Sequence, residues 1–134
     1  MKLREASPAD ISFVFDTYLN DWRKSPYAGT LRNNRYFEAQ RCTLEDLIAR
    51  GALVVVACDD RPELEEVIQG WACYEVKNGE CVLHYLYQRP GYTTHEFILT
   101  QIAGTKPGLL THRLPIRELK AWKILPEIAR RKYL

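Results

Sequence analysis

The stretch Glu80–Gly104, ECVLHYLYQRPGYTTHEFILTQIAG, decides the fold. Glu80 to Gln88 is dense in Val, Leu and Tyr, which suits a pleated, half-buried strand. Arg89-Pro90-Gly91 stops it, because Pro90 has no N–H for a ladder and Gly91 permits a sharp turn. Thr93 or Thr94 can cap a helix over His95–Ala103, with Phe97, Ile98 and Ile102 on one face and Gly104 at its C-terminal stop. A strand that feeds a helix through a tight turn aims unpaired N–H groups at one place, and that place suits an anion such as a phosphate.

Working outward, Val67–Val76 is a second strand. Lys77-Asn78-Gly79 joins it to Glu80–Gln88, and Asn-Gly between two β-rich runs is a strong hairpin signal. Gly70 marks a bulge or a close approach. Ala52–Cys58 (ALVVVAC), apolar on both faces, precedes them and completes an antiparallel meander. Upstream, Lys2–Ala6 reads as a short strand. Ser7-Pro8-Ala9-Asp10 is a helix start, and Ile11, Val14, Phe15, Tyr18, Leu19 and Trp22 form one apolar stripe behind it. A second helix begins at Asn33 or Asn34 and runs to Arg50, burying Phe37, Leu44, Leu47 and Ile48, with Gly51 ending it. The loop between the two helices carries Tyr27, Arg32 and Arg35, as a solvated connection or as a wall of a substrate site.

Downstream of Gly104, Leu109–Thr111 is a short strand that should run parallel to Glu80–Gln88, since one helix separates them. Pro115 opens a last helix, Ile116–Leu125, and Glu127–Leu134 is an edge-strand candidate. The segment from Arg113 is basic (Arg113, Arg117, Lys120, Lys123, Arg130, Arg131, Lys132), fit to meet phosphates, an acidic partner or only water. Trp122 among these charges is expected to pack inward.

Composition narrows the classes. A chain of 134 residues without repeat or linker reads as one domain, 1–134. No apolar run approaches the ~20 residues of a membrane helix and the N-terminus lacks an apolar signal core, so a cytoplasmic protein is expected. Net charge of +2 is no footprint for nucleic acid. Cys42, Cys58, Cys73 and Cys81 form no C-x-x-C pair and read as free buried thiols. With His84, His95 and His112 they show no metal-ligand spacing, so no metal is expected.

The order strand, helix, helix, three antiparallel strands, helix, strand, helix, strand resembles the GNAT family, the Gcn5-related N-acetyltransferases. SPAD before a striped helix, ALVVVAC, the Asn-Gly hairpin and LHYLYQRP entering the central helix carry the resemblance. SPYA, LHYLY and THRLP further resemble small GNAT-like proteins of tailed bacteriophages, which implies the host cytoplasm as location. The resemblance implies an α+β fold with a mixed, splayed sheet of six to seven strands. It also implies an acetyl-CoA-dependent transfer of an acetyl group to an amine. Acetyl-CoA would lie where the fourth and fifth strands part, against Leu86, Tyr87, Gln88, Gly91, Tyr92, Thr93, Thr94 and His95. The family's pyrophosphate loop usually reads Arg/Gln-x-x-Gly-x-Gly/Ala. Thr93, Thr94, His95 and Glu96 stand at the matching positions, with no glycine after Gly91 and a carboxylate where phosphate would sit.

The chemistry needs a base for the amine proton and an acid for the leaving thiolate. Glu75 and His84 are the base candidates, against a solvated strand end and a hydrogen-bonded core histidine respectively. Tyr133 is the acid candidate, while Tyr85 and Tyr87, on one face with Leu83 by strand alternation, read as core or cleft lining. His112, just past the fifth strand, is either near the ligand or a surface residue. Tyr27, Arg32 and Arg35 would face the amine substrate. The alternative is a GNAT fold without catalysis that acts as a binding module on a host protein partner, which the glycine-poor loop favours.

Overall fold

The computed structural model describes residues 1–23, 43–111 and 114–126. Tyr27, Arg32, Arg35, Phe37, Cys42, His112, Arg113, Tyr133 and the basic tail 127–134 lie outside these residues. The strands are β1 (Lys2–Glu5), β2 (Leu53–Cys58), β3 (Gly70–Lys77), β4 (Glu80–Gln88), β5 (Leu109–Leu110) and β6 (Lys123–Ile124). Helix α1 spans Ile11–Arg23, α2 includes residues 43–49, and α3 spans His95–Ala103. One six-stranded sheet has the order β1-β2-β3-β4-β5-β6, antiparallel through β4 and parallel from β4 to β6. This is the mixed sheet flanked by helices that the resemblance implies.

Local chemistry explains most boundaries. Asn78 (φ 53°) and Gly79 (φ 77°) are both left-handed, as a two-residue hairpin turn requires. The Ser7 N–H and hydroxyl both donate to Asp10 Oδ2, at 2.7 and 2.9 Å, and brace the 3-10 turn Pro8–Asp10 that opens α1. Arg4 on β1 clamps the same carboxylate from the other side, with Nη1 to Oδ2 at 2.6 Å and Nη2 to Oδ1 at 3.0 Å. Its Nη2 also donates to the Glu65 carbonyl at 3.1 Å, so one guanidinium ties β1, the start of α1 and the β2–β3 connection. Gly51 (φ 97°) closes α2, donating to the Ile48 carbonyl while Ala52 donates to that of Leu47.

Two apolar clusters sandwich the sheet. On one face Val14, Tyr18 and Leu19 of α1 and Leu44 and Leu47 of α2 pack on Val56, Trp71, Cys73 and Tyr85. On the other, Ile98 and Leu99 of α3 pack with Val55, Ala57, Ala72, Leu83, Leu86, Leu110 and Leu119. Cys58, Cys73 and Cys81 are buried free thiols. Burial pushes the Cys73 thiol up to about 12 and that of Cys81 to about 11.

Three expectations need correction. Residues 67–69 precede β3 rather than belong to it; Gln69 instead donates to the Ala57 carbonyl and accepts from the Arg89 N–H. The expected helix Ile116–Leu125 is a single 3-10 turn, Arg117–Leu119, followed by β6. Pairing wins there: Lys123 donates to the Gly108 carbonyl and Leu125 to that of Leu110, while Trp122 lies against Gly108, where a Cβ would come within 2.7 Å of its ring. Of the two readings of Gly70 the close approach holds, since a Cβ there would stand 2.4 Å from Thr94 Oγ1, and the bulge falls instead in β4, opposite Cys73 and Tyr74. Tyr74 pairs with Leu83 and Cys73 with Tyr85, so His84 is the extra residue. Leu83 therefore enters the α3 cluster and Tyr85 the α1 cluster, on opposite faces.

The Arg4–Asp10 pair holds the Asp10 carboxyl down to about 2, from an ordinary 3.8, through its hydrogen bond with Arg4 and despite burial. A depressed carboxylate stabilises the fold above its unfolded pKa and loses that contribution as pH falls through its folded value. Asp10→Asn should therefore cost roughly 2 kcal/mol or more in urea unfolding at pH 7. The gap to the native chain should close as pH falls from about 4 to about 2. A gap unchanged at pH 2 would show that the carboxylate charge is not what stabilises the turn.

Candidate active site

The bulge does more than change phase. β4 pairs with β3 along its length, but with β5 only at Val82↔Leu109 and Leu83↔Leu110. Thr111 N–H donates to the Leu83 carbonyl at 3.2 Å, and beyond that point no described strand pairs with this edge of β4. The two strands part at His84.

A chain of buried polar groups sits at that fork. His84 Nε2 lies 2.7 Å from Glu75 Oε2, and His84 Nδ1 lies 3.3 Å from Thr111 Oγ1. Exposures are 7% for Glu75, 2% for His84 and 1% for Thr111, so Glu75 is no solvated strand end. Burial lowers the His84 pKa below its ordinary 6.5; the Glu75 hydrogen bond opposes this, and the nearby Arg50 charge adds to it. A carboxylate can only accept, so the neutral ring carries its proton on Nε2 and Nδ1 is left with a lone pair. The Thr111 hydroxyl then donates to Nδ1 across a long contact. The result is a Glu–His–Thr line whose middle member is a neutral base at physiological pH.

An aromatic wall continues the α1 face. Trp71 lies with its ring centroid 5.0 Å from that of Tyr85 and 6.2 Å from that of Tyr87, and its Nε1 donates to Thr17 Oγ1 at 2.8 Å. The Tyr85 hydroxyl donates to Asp21 Oδ2, and burial with that carboxylate beside it raises the phenol strongly. Arg89 holds its guanidinium 4.8 Å from the Phe13 ring centroid.

The residues expected to hold a diphosphate are arranged differently from a phosphate loop. Gln88 Oε1 accepts from the backbone N–H of Thr94 at 2.6 Å and of His95 at 3.2 Å. Tyr92 N–H donates to the Arg89 carbonyl. Thr94 is fully buried beneath Gly70, and His95 turns toward Glu118, Nδ1 to Oε2 3.6 Å. Gly91, Tyr92, Thr93 and Glu96 are exposed. Leu86 and Tyr87 point to opposite faces of β4. The start of α3 is thus a self-capped helix end that does not fit a diphosphate.

Sequence reasoning singled out Glu75 and His84 separately, and the structure brings them together. It missed Thr111, Asp21 and the capping role of Gln88. Thr111 was within reach: a parallel β5 ending there must lie beside mid-β4. Among the described residues no group of three metal-ligating side chains converges and no helix is long and apolar enough to cross a membrane.

No family model matches the chain, and no curated protein matches it. Similar solved structures include the PaiA N-acetyltransferase of Thermoplasma acidophilum in complex with coenzyme A. It is 21% identical, has a TM-score of 0.48, and the match covers 75% of this chain and 65% of that one. Another is a probable acetyltransferase, 14% identical with a TM-score of 0.47, covering 99% of this chain and 86% of that one.

The His84 tautomer is open to test by nitrogen-15 NMR. The ring should be neutral at pH 7 with its proton on Nε2, and should titrate below 6.5. Because the folded pKa is depressed, the unfolded chain takes up the proton first. Stability should therefore fall as pH drops below about 6.5. A proton on Nδ1, or a midpoint above 6.5, would break the line of donors.

Proposed function

We propose that this chain is an acyl-thioester-dependent N-acyltransferase that moves an acyl group, acetyl in the case of acetyl-CoA, to an amine. The observation that carries the reading is the buried Glu75–His84–Thr111 line at the point where β4 and β5 part. A thioester in the fork would present its carbonyl carbon to an incoming amine beside a neutral base. The amine nitrogen forms the new C–N bond, the C–S bond breaks, and sulfur takes its electron pair. The proton shed by nitrogen passes through the Thr111 hydroxyl to His84 Nδ1, and from there to the thiolate, so the products are an amide and a thiol. Glu75 holds the ring in the productive tautomer and steadies the imidazolium while it lasts. Burial keeps His84 unprotonated, and therefore basic, in the resting protein.

The test is release of free thiol from acetyl-CoA in the presence of a panel of primary amines. His84→Gln should lower kcat by roughly 100-fold or more while leaving the fold intact, because general-base catalysis is worth about that much. Glu75→Gln should lower kcat less and shift its pH profile, as a positioning residue does. If no amine raises thiol release above background hydrolysis, the transferase reading is lost.

A further inference from the structure

Gln88 ends β4, and its side chain reaches six residues ahead to the start of α3. Its Oε1 accepts from Thr94 N–H at 2.6 Å and His95 N–H at 3.2 Å, two of the amides an anion at this helix end would use. Thr94 occupies the N-cap position yet makes no cap bond, and its Oγ1 is buried without a partner. The reason is Gly70: a Cβ there would stand 2.4 Å from that oxygen, so Thr94 is pressed onto bare backbone and its hydroxyl is turned away from its own helix. Gln88 supplies the cap in its place. The carboxylate of Glu96, in the first turn, adds charge of the wrong sign for an anion. Glu118 stands beside His95, with Arg117 at 3.9 Å on its outer side.

We propose that the donor is recognised through its thioester and pantetheine portion alone, with Gln88 holding two of the amides that a diphosphate would otherwise use and Glu96 opposing its charge. The donor class is then acyl-pantetheine thioesters, of which acyl-CoA is one member with no advantage from its nucleotide. The proposal rests on the transferase reading and names its donor specificity. Neutral amides along the pantetheine arm suit the edge of β4 beyond Leu83, along which no described strand pairs, since a strand edge offers both donors and acceptors. A diphosphate would have to displace a two-bond cap and face Glu96.

Acetyl-pantetheine and acetyl-CoA, compared as donors with the same amine, should give kcat/KM values within about threefold of each other. Calorimetry of coenzyme A and of pantetheine should give Kd values equally close. Gln88→Ala, which vacates both amides, should tighten coenzyme A at least fivefold and leave pantetheine unchanged. A merely structural role for Gln88 would move both ligands together, and that result overturns the proposal. A tenfold or greater preference of the native chain for coenzyme A also overturns it, while leaving the transferase reading standing if thiol is released. If neither donor reacts and neither ligand binds at millimolar concentration, the transferase reading and this proposal fall together.

Discussion

One extra residue in β4 is the constraint on which the rest depends. β4 must pair with β3 throughout and yet leave β5 after Leu83, and an unbroken ladder cannot serve both neighbours. The bulge at His84 resolves the conflict by bending the strand where the second partner departs. It also resets the alternation, so that Leu83 packs beneath α3 and Tyr85 beneath α1. The residue left out of the ladder has to be accommodated by its side chain. A buried imidazole needs partners for both nitrogens, and Glu75 on β3 and Thr111 just past β5 stand at 2.7 and 3.3 Å. The fork, the division of the core and the polar line thus share one cause.

Two polar clusters among the described residues follow opposite logic. Arg4 and Asp10 are both ionised, bonded through two parallel contacts, and the Ser7 N–H and hydroxyl fill out the carboxylate's remaining capacity. Such a pair offsets its desolvation only with geometry of that quality, and it is suited to holding a shape. Glu75 and His84 are joined by one short contact, and burial keeps the ring neutral instead of completing an ion pair. A base held neutral beside a carboxylate can take a proton with the counter-charge already in place. The first arrangement holds both charges in place; the second leaves the ring uncharged beside its carboxylate.

Elements set by local chemistry were legible in the sequence. Asn78-Gly79 fixed the hairpin by its left-handed backbone, and the bounds of α3 followed from Thr94 and Gly104. The bulge was not legible. LHYLY read at period two puts Leu83, Tyr85 and Tyr87 on one face, and no glycine marks the place where the period slips. Ile116–Leu125 has a helical pattern, but strand pairing at Gly108 and Leu110 outweighs it, and propensity is too weak a force to resist. Glu75 and His84 were visible as titratable residues on neighbouring strands. Glu75 pairs with Val82, two residues before His84, so the hairpin register itself sets them diagonal on one face.

The Gln88 cap was hidden for a different reason: glutamine is not a usual N-cap residue, and here it acts from the preceding strand. Yet its position has a consequence the sequence did hold. His84 and Gln88 lie on one strand four residues apart, which at about 3.3 Å per residue places fork and helix end roughly 13 Å from each other. The spacing between fork and helix end is therefore gauged by β4 alone. A residue inserted or removed between them would move the base relative to the cap and reverse the faces of Tyr85 and Tyr87 together. Trp71, Tyr18 and Phe13 fill the α1 face around those two rings and oppose such a slip. The aromatic wall is what keeps the fork and the start of α3 in register along β4.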